Sequence, residues 1–402
     1  MLDMFRRIYD SLISPPEVPK AENPLRFGLL GASDIAPMSL ILPAKTHPEV
    51  VIACVAARDR ARAEKYAKKH GIESVHDTYQ DCIYIPLPNS HHYEWAIRAI
   101  KAGKHVLLEK PCTSNGAEAR KLFEHPAVTA PNAPVLLEAF HYTFHPAWQS
   151  FMQLIHHDPL AGPVKSAESY FYLPRGYFGK DDIRFRAMLD DSHPVVESVE
   201  FRKISESEHR GNTAEDLEQI DEAVMATFRS KAGAVGKLVA DFSLAGSILG
   251  VKAPRLGWPK CVAELEEKEV SEEKVKLADG EKHLMQRTVT LYNHIAPVIY
   301  HSIVVEDQHS IRRNGTTTVK SWGNKTTIKA YDWADKSDGH PGGTSWSTYR
   351  YQLEEFVNRV RGRKGTGVWV EHQSSIDQMD VLDEMYKKGG LKIRPSRQID
   401  ED

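Results

Sequence analysis

The chain has 402 residues, more than a single hydrophobic core usually organises, so two domains are expected. An apolar share of 41% and a charged share of 27% are ordinary for a globular protein, and a net charge of -3 leaves no cationic excess for a nucleic-acid backbone. No apolar run approaches the ~20 residues of a membrane span, and the opening "MLDMFRRIYDSLISPP" lacks a signal-peptide core, so a soluble, cytoplasmic protein with neither nucleic acid nor membrane as partner is expected.

Residues 1–24 predict a short N-terminal helical extension, with Met4, Phe5, Ile8, Tyr9 and Leu12 at helical spacing, ended by Pro15–Pro16 and docked on the domain that follows. From Leu25 to about residue 150, short apolar runs alternate with helical stretches: "LRFGLLG", "VVIACVAAR", a helix Arg60–His70 closed by Gly71, "CIYIPLP", a helix His91–Ala102 closed by Gly103, "HVLLE" and "VLLEAF". That alternation predicts a parallel sheet covered by helices. Residues 151–402 change character. Longer runs such as "VKSAESYFYL", "SVEFRKI", "AVMATFRS", "VGKLVADFSL" and "HSIVVED" follow one another without regular helices, as in a mostly antiparallel sheet. The charge-rich stretch at 263–274 reads as a solvated face. Two terminal helical segments, "TSWSTYRYQLEEFVNRVRG" and "SSIDQMDVLDEMYKKGG", end at glycine and can pack back on the first domain. The four cysteines have no metal-ligand spacing and read as reduced, buried thiols, with no metal expected.

Chemistry enters at "FGLLGASDIAP", where the first strand turns into the first helix and free backbone N–H groups can hold a dinucleotide pyrophosphate. Gly28, Gly31, Ala32, Ser33 and Ile35 are the candidate contacts here. Counted from Gly31, the G-x-G-x-x-G/A pattern has Ser33 at its second glycine and Ala36 at its third, so the loop alone is equally compatible with a plain strand-to-helix turn. The Asp34 carboxylate would repel a pyrophosphate. The second strand ends in Arg58–Asp59–Arg60, where an acidic residue takes the ribose hydroxyls of NAD and an arginine the 2′-phosphate of NADP; Arg58 favours NADP, with NAD the alternative.

The run "YIPLPNSHHYEWAIRAIKAGKHVLLEKP" is more specific, combining P-N-S-x-H with G-K-H-V-L-x-E-K-P. It resembles the glucose-fructose oxidoreductase, inositol dehydrogenase and rhizopine-catabolism family, Gfo/Idh/MocA. Within that family it is most similar to fungal NADP-dependent D-xylose 1-dehydrogenases and dimeric dihydrodiol dehydrogenases. The resemblance implies an α/β fold: an N-terminal Rossmann-type parallel sheet and a C-terminal α/β domain with a large, mostly antiparallel open sheet. It implies hydride transfer from a carbinol carbon of a D-xylose-like aldose or a cyclic trans-diol to NADP, and a homodimer formed through the C-terminal sheet. Lys110 of the E-K-P motif would touch the reacting oxygen, where a cation stabilises alkoxide character. Pro88, Asn89, His92, Glu109 and Glu138 would lie on the cofactor side, with His141 and Tyr142 beside Lys110 as catalytic candidates.

Two departures bear on this reading. Only Gln80 and Asp81 separate Tyr79 from "CIYIPLP", too few for a helical crossover, so an altered sheet edge is expected. After "KDDIRFR" the family's glycine-rich helix start and its acid/base tyrosine are missing, and Ala187–Asp190 reads as the stump of that helix. His141, Tyr142, Tyr172 or Tyr177 could substitute, and the residues do not choose among them. The alternative to a dehydrogenase is a catalytically impaired or truncated relative that only binds the dinucleotide.

Overall fold

Six short strands, apolar on both faces, form the first sheet of the computed structural model. The residues described are 2–75, 81–174, 195–203, 221–248, 251–254, 257–271, 275–333 and 339–398. The strands are β1 (Leu25–Leu30), β2 (Val50–Ala56), β3 (Ser74–Val75), β4 (Cys82–Ile85), β5 (His105–Leu108) and β6 (Leu136–Glu138), in the order β3-β2-β1-β4-β5-β6. All five pairings are parallel. Near-continuous burial along β1, β4 and β5 is what a sheet covered on both sides requires.

An N-terminal helix α1 (Leu2–Ile8) runs into a π-turn at Tyr9–Ile13. A second π-turn (Pro37–Ile41) leads into α2 (Leu42–Lys45) on one face of the sheet, joined there by α3 (Arg60–His70). The opposite face carries α4 (His92–Lys101), α5 (Gly116–Phe123) and the short α6 (Pro126–Thr129). Asp59 caps α3 by accepting from Arg62 N at 3.1 Å, and Gly71 closes it at φ 68°. The helix boundaries expected at 60–70 and 91–102 therefore hold to within a residue.

The second sheet follows α7 (Pro146–His156). Its strands are β7 (Val164–Pro174), β8 (Val195–Lys203), β9 (Asp221–Arg229), β10 (Val235–Ile248), β11 (Val251–Pro254), β12 (Lys260–Leu265), β13 (Lys268–Glu269), β14 (Glu281–Tyr292), β15 (Ser302–Arg313) and β16 (Thr317–Ile328). The main order is β16-β15-β14-β12-β7-β10-β9-β8, antiparallel except for the β7–β10 pair. Trp148, Phe151 and Ile155 of α7 pack on Leu265, Val289 and Ile303. The stretch expected as a solvated face is so in part: Glu266, Glu267, Glu269 and Ser271 are exposed, while its first residues belong to β12, a central strand whose alternating burial places Ala263 and Leu265 in the core.

The closing helices α8 (Thr348–Val360) and α9 (His372–Lys388) return to the first sheet, one on each face: Phe356 stacks near Phe27 at 5.7 Å, and Ile376 and Met379 join Ile97 and Leu122. The N-terminal extension docks on the first domain through its latter half, Val18 N donating to the Lys45 carbonyl at 3.1 Å, and reaches the second domain through α1. Phe5 and Tyr9 are exposed, while Arg7 sits over the Tyr331 ring and donates to the Val298 carbonyl beyond the second sheet's strands. Lys20 Nζ reaches the carbonyls of Ala44 and His47 in the first domain.

Among the described residues the edge strand of the sheet is the two-residue β3, paired with β2. Residues 76–80, the Ala187–Asp190 stump and Tyr177 lie outside the described residues. Asp81 immediately precedes β4, its carboxylate accepting from Arg26 N at 2.9 Å.

Candidate active site

Strand order reverses between β2 and β4 on either side of β1, and that switch point opens a crevice at the strands' carboxyl ends. A cleft of about 1120 Å³ lies there. Gly31, Ala32, Ser33 and Ile35 form its floor, Arg58 follows β2, Pro88 and Asn89 follow β4, and Glu109 and Lys110 follow β5. Nine of the residues singled out in the sequence thus share one cavity.

The loop after β1 owes its shape to one glycine and two side chains from α3. Gly31 has φ +114°, and a Cβ there would lie 3.1 Å from Leu87 Cδ2. Arg62 Nη2 donates to the Ala32 carbonyl at 2.9 Å, and the Tyr66 hydroxyl donates to the Ser33 carbonyl at 2.8 Å. Two loop carbonyls are thereby tied to α3. Burial, reinforced by the Asp34 carboxylate, raises the Tyr66 phenol to about 12, so it remains a donor at neutral pH. Arg58 is exposed and makes no hydrogen bond or ion pair among the described residues.

Behind Lys110 stands a buried polar chain. Tyr84, fully buried, donates to Glu109 Oε1 at 2.7 Å and meets Ser39 Oγ at 2.6 Å, and Ser39 also lies 2.9 Å from the Ile35 carbonyl. Glu109 Oε2 accepts from the Lys110 main-chain N–H at 3.2 Å. Burial, then the Glu109 charge, raises Tyr84 well above its ordinary pKa, which keeps it protonated. Lys110 precedes a cis peptide bond to Pro111. The chain joins the phosphate-loop side at Ile35 to the lysine.

The other singled-out residues lie elsewhere. Gly28 is inside β1, paired with Cys54 and Ile83, because it precedes the turn by half the strand. His92 is buried beneath the cleft, its two ring nitrogens each 2.7 Å from a carbonyl, Leu87 on one side and Pro111 on the other. It ties together the chain segments after β4 and β5, and burial lowers its pKa. Glu138 accepts from Cys112 N at 3.1 Å at the end of β6. His141 is held by Thr348 Oγ1 at 2.8 Å and stacks on Tyr349 at 4.0 Å, while Tyr142 packs against Phe140, Trp148 and His294. Both are buried, His141 in the seam with α8 and Tyr142 against α7 and His294, and neither lines the cleft with Lys110. Tyr172 is in β7, its ring 6.0 Å from that of Tyr170.

Sequence reasoning missed Tyr84, Ser39, Arg62 and Tyr66, as well as two tail arginines, Arg394 and Arg397, that also line the cleft. Tyr84 carried a usable signal, a hydroxyl in the middle of an otherwise apolar buried strand; the others reach the site only through tertiary structure. The four cysteines are buried thiols, and no cluster of three metal-ligating side chains occurs among the described residues. Among these residues no helix is long and apolar enough to cross a membrane.

This crevice suits a dinucleotide: a glycine at positive φ at the close approach, loop carbonyls turned to α3, and an uncommitted arginine after β2. Comparison with known proteins agrees. The profile of the Gfo/Idh/MocA oxidoreductase family, with an NAD-binding Rossmann fold, matches residues 25–129. A dTDP-3,4-didehydro-2,6-dideoxy-alpha-D-glucose 3-reductase from Actinomadura kijaniata is 32% identical over 179 residues, covering 42% of this chain and 52% of the relative. An NADP(+) D-xylose 1-dehydrogenase from Haloferax volcanii is 36% identical over 169 residues, covering 40% and 50%. A trans-1,2-dihydrobenzene-1,2-diol dehydrogenase from Sus scrofa is 30% identical over 159 residues, covering 37% and 45%. The chain thus spans about half the length of the curated relatives it matches. In fold, a 3-ketoreductase from Actinomadura kijaniata, solved with TDP-benzene and NADP, superposes with a TM-score of 0.60 at 19% identity, covering 92% of this chain and 98% of that one. The family match covers the parallel-sheet domain, residues 25–129, and the two-sheet architecture as a whole is the fold of that 3-ketoreductase.

Proposed function

We propose that the protein is an NADP-dependent dehydrogenase that oxidises one carbinol carbon of a sugar of the D-xylose class or of a cyclic trans-diol, with Lys110 bound to the reacting oxygen. The observation that carries this reading is Lys110 in the same cleft as the Gly31 loop and Arg58. When bound, the nicotinamide supplies the hydride acceptor. The chain's own residues do the rest. Lys110 Nζ donates to the substrate hydroxyl oxygen and lowers the cost of its losing a proton, as a cation beside a developing alkoxide does. Glu109 and Tyr84 fix the main chain from which Lys110 projects. Arg58 offers its guanidinium to a 2′-phosphate.

The sugar-directed part of the reading draws on the names of the relatives: a D-xylose dehydrogenase, a dihydrodiol dehydrogenase and a sugar 3-reductase all act at a C–OH or C=O carbon. The test is nicotinamide reduction by folded protein with NADP, then NAD, across D-xylose, other aldoses and a trans-dihydrodiol. Turnover is expected with NADP, falling by about 100-fold or more in Lys110→Met, the scale of lost acid/base assistance. Equal turnover in Lys110→Met would refute the assignment.

A further inference from the structure

Gly390 turns the chain out of α9, and residues 391–398 run back along the first domain to the cleft. Their path is fixed by two buried polar residues of α5's N-terminal cap. Asn115 Nδ2 donates to the Arg394 carbonyl and to Ser396 Oγ, each at 2.9 Å, and Glu118 Oε1 accepts from Arg397 N at 2.7 Å. The same two side chains also cap α5, Asn115 Oδ1 accepting from Glu118 N at 2.9 Å and Glu118 Oε2 from Ser114 N at 3.0 Å. Buried side chains whose hydrogen bonds go to tail backbone mark a built attachment rather than a loosely lying end.

The consequence is that Arg394 and Arg397 project into the cleft. Arg397 Nη1 lies 3.2 Å from Glu94 Oε2 and donates to the His91 ring. Glu94 is already partnered by Arg98 at 3.2 Å, so its one negative charge is shared between two guanidinium groups. The Nε and Nη2 groups of Arg397, the edge that pairs bidentately with a phosphate, make no hydrogen bond among the described residues. Arg394 is steadied from behind, its Nη2 donating to the Tyr386 hydroxyl at 3.1 Å. His91, whose ring accepts from Arg397, lines the same cleft as Arg397 and Arg58, the tail reaching it beside α4 and Arg58 entering after β2.

We propose that the C-terminal tail completes the nucleotide site, Arg397 binding the 2′-phosphate together with Arg58 while Arg394 lines the adjoining wall, so that the tail supplies part of the preference for NADP over NAD. This rests on the dinucleotide reading of the cleft and assigns it a component outside the nucleotide-binding domain.

The test is equilibrium binding of NADPH, NADH and 2′,5′-ADP to the full chain and to its Arg397→Gln, Arg397→Lys and Arg58→Gln variants, with unliganded unfolding midpoints as the check on folding. Arg397→Gln is expected to weaken NADPH and 2′,5′-ADP by about tenfold and to leave NADH within about twofold, and Arg397→Lys to lie between. Equal weakening of NADPH and NADH would reduce the tail to a packing element, and no weakening of NADPH would remove Arg397 from the site; either overturns the proposal. If Arg58→Gln alone loses NADPH selectivity, the dinucleotide reading survives and the tail assignment falls. If the wild-type chain binds neither nucleotide, both fall.

Discussion

Tyr84→Phe separates a structural hydroxyl from one that supports the site. The substitution keeps the ring, which is fully buried between β1 and β5, and deletes only the oxygen that donates to Glu109 at 2.7 Å and meets Ser39 at 2.6 Å. Ser39 still has the Ile35 carbonyl at 2.9 Å, so the loss falls on Glu109, 5% exposed, whose Oε1 would be left without that donor. A hydrogen bond to a charged group contributes about 1.5–3 kcal/mol, and leaving a buried acceptor unpaired costs about 1–3 kcal/mol, so about 2 kcal/mol of stability should be lost. Glu109 Oε2 also holds the Lys110 main chain, so a relaxed carboxylate should move the lysine. Displacements near 1 Å cost up to about 100-fold, and a ten- to hundredfold fall in kcat/KM is expected. Urea unfolding of the two proteins gives the first quantity, and NADP reduction with the best substrate gives the second. A variant within about 0.5 kcal/mol of wild type, with unchanged kcat/KM, would refute the idea that this chain braces Lys110.

Two other perturbations have signs fixed by the structure. Gly31→Ala forces an L-residue to φ +114° and brings a Cβ to 3.1 Å from Leu87 Cδ2; about 1–3 kcal/mol of backbone strain should lower the urea midpoint, and NADPH affinity should fall with it, whereas an unaltered midpoint would mean the loop relaxes freely. Acid should destabilise the fold through buried histidines. Burial lowers His301 to about 4, His294 to about 3 and, with Arg350 next, His47 to about 2, against 6.5 when unfolded. Below 6.5 the unfolded chain binds protons that the native chain does not, so stability is complete above pH 6.5 and declines towards the folded values, by about 2 kcal/mol per histidine at pH 5. Glu355 and Asp383, raised by burial, act in the opposite sense. A urea midpoint as high at pH 5 as at pH 7.5 would contradict this.

What was legible in the sequence follows from the range of the interactions involved. Strands such as Val50–Ala56 and a helix capped by Asp59 and closed by Gly71 are set by neighbours in the chain, and they appear where periodicity and cap chemistry put them. The central position of β12 was hidden because its last residues, Ala263–Leu265, run straight into the charged "EEKE". Arg58 and the Gly31 loop were legible because strand-end positions in an alternating fold converge on one edge, and Lys110 because the E-K-P motif resembles a known family's. His141 and Tyr142 also follow a strand of that sheet. The His141 side chain turns instead into the seam with α8, a helix two hundred residues further on, and that of Tyr142 onto Trp148 and His294, and no local pattern reports that. The tail arginines were invisible for the same reason.

The degenerate glycine pattern becomes intelligible once each position is given its geometry. Only Gly31 occupies the positive-φ region; Ala36 has φ -57°, and no non-glycine residue of the loop is left-handed. A second glycine usually lets backbone approach the pyrophosphate, and here Ser33 is present with its carbonyl fixed by Tyr66 and its Oγ 3.4 Å from Ile35 N. Arg62 fixes the carbonyl before it. The loop's conformation therefore depends on two side chains of α3 where other sequences would use missing side chains. Reading a phosphate loop by its glycines alone underestimates this one, since the restraint that matters comes from the helix after the next strand.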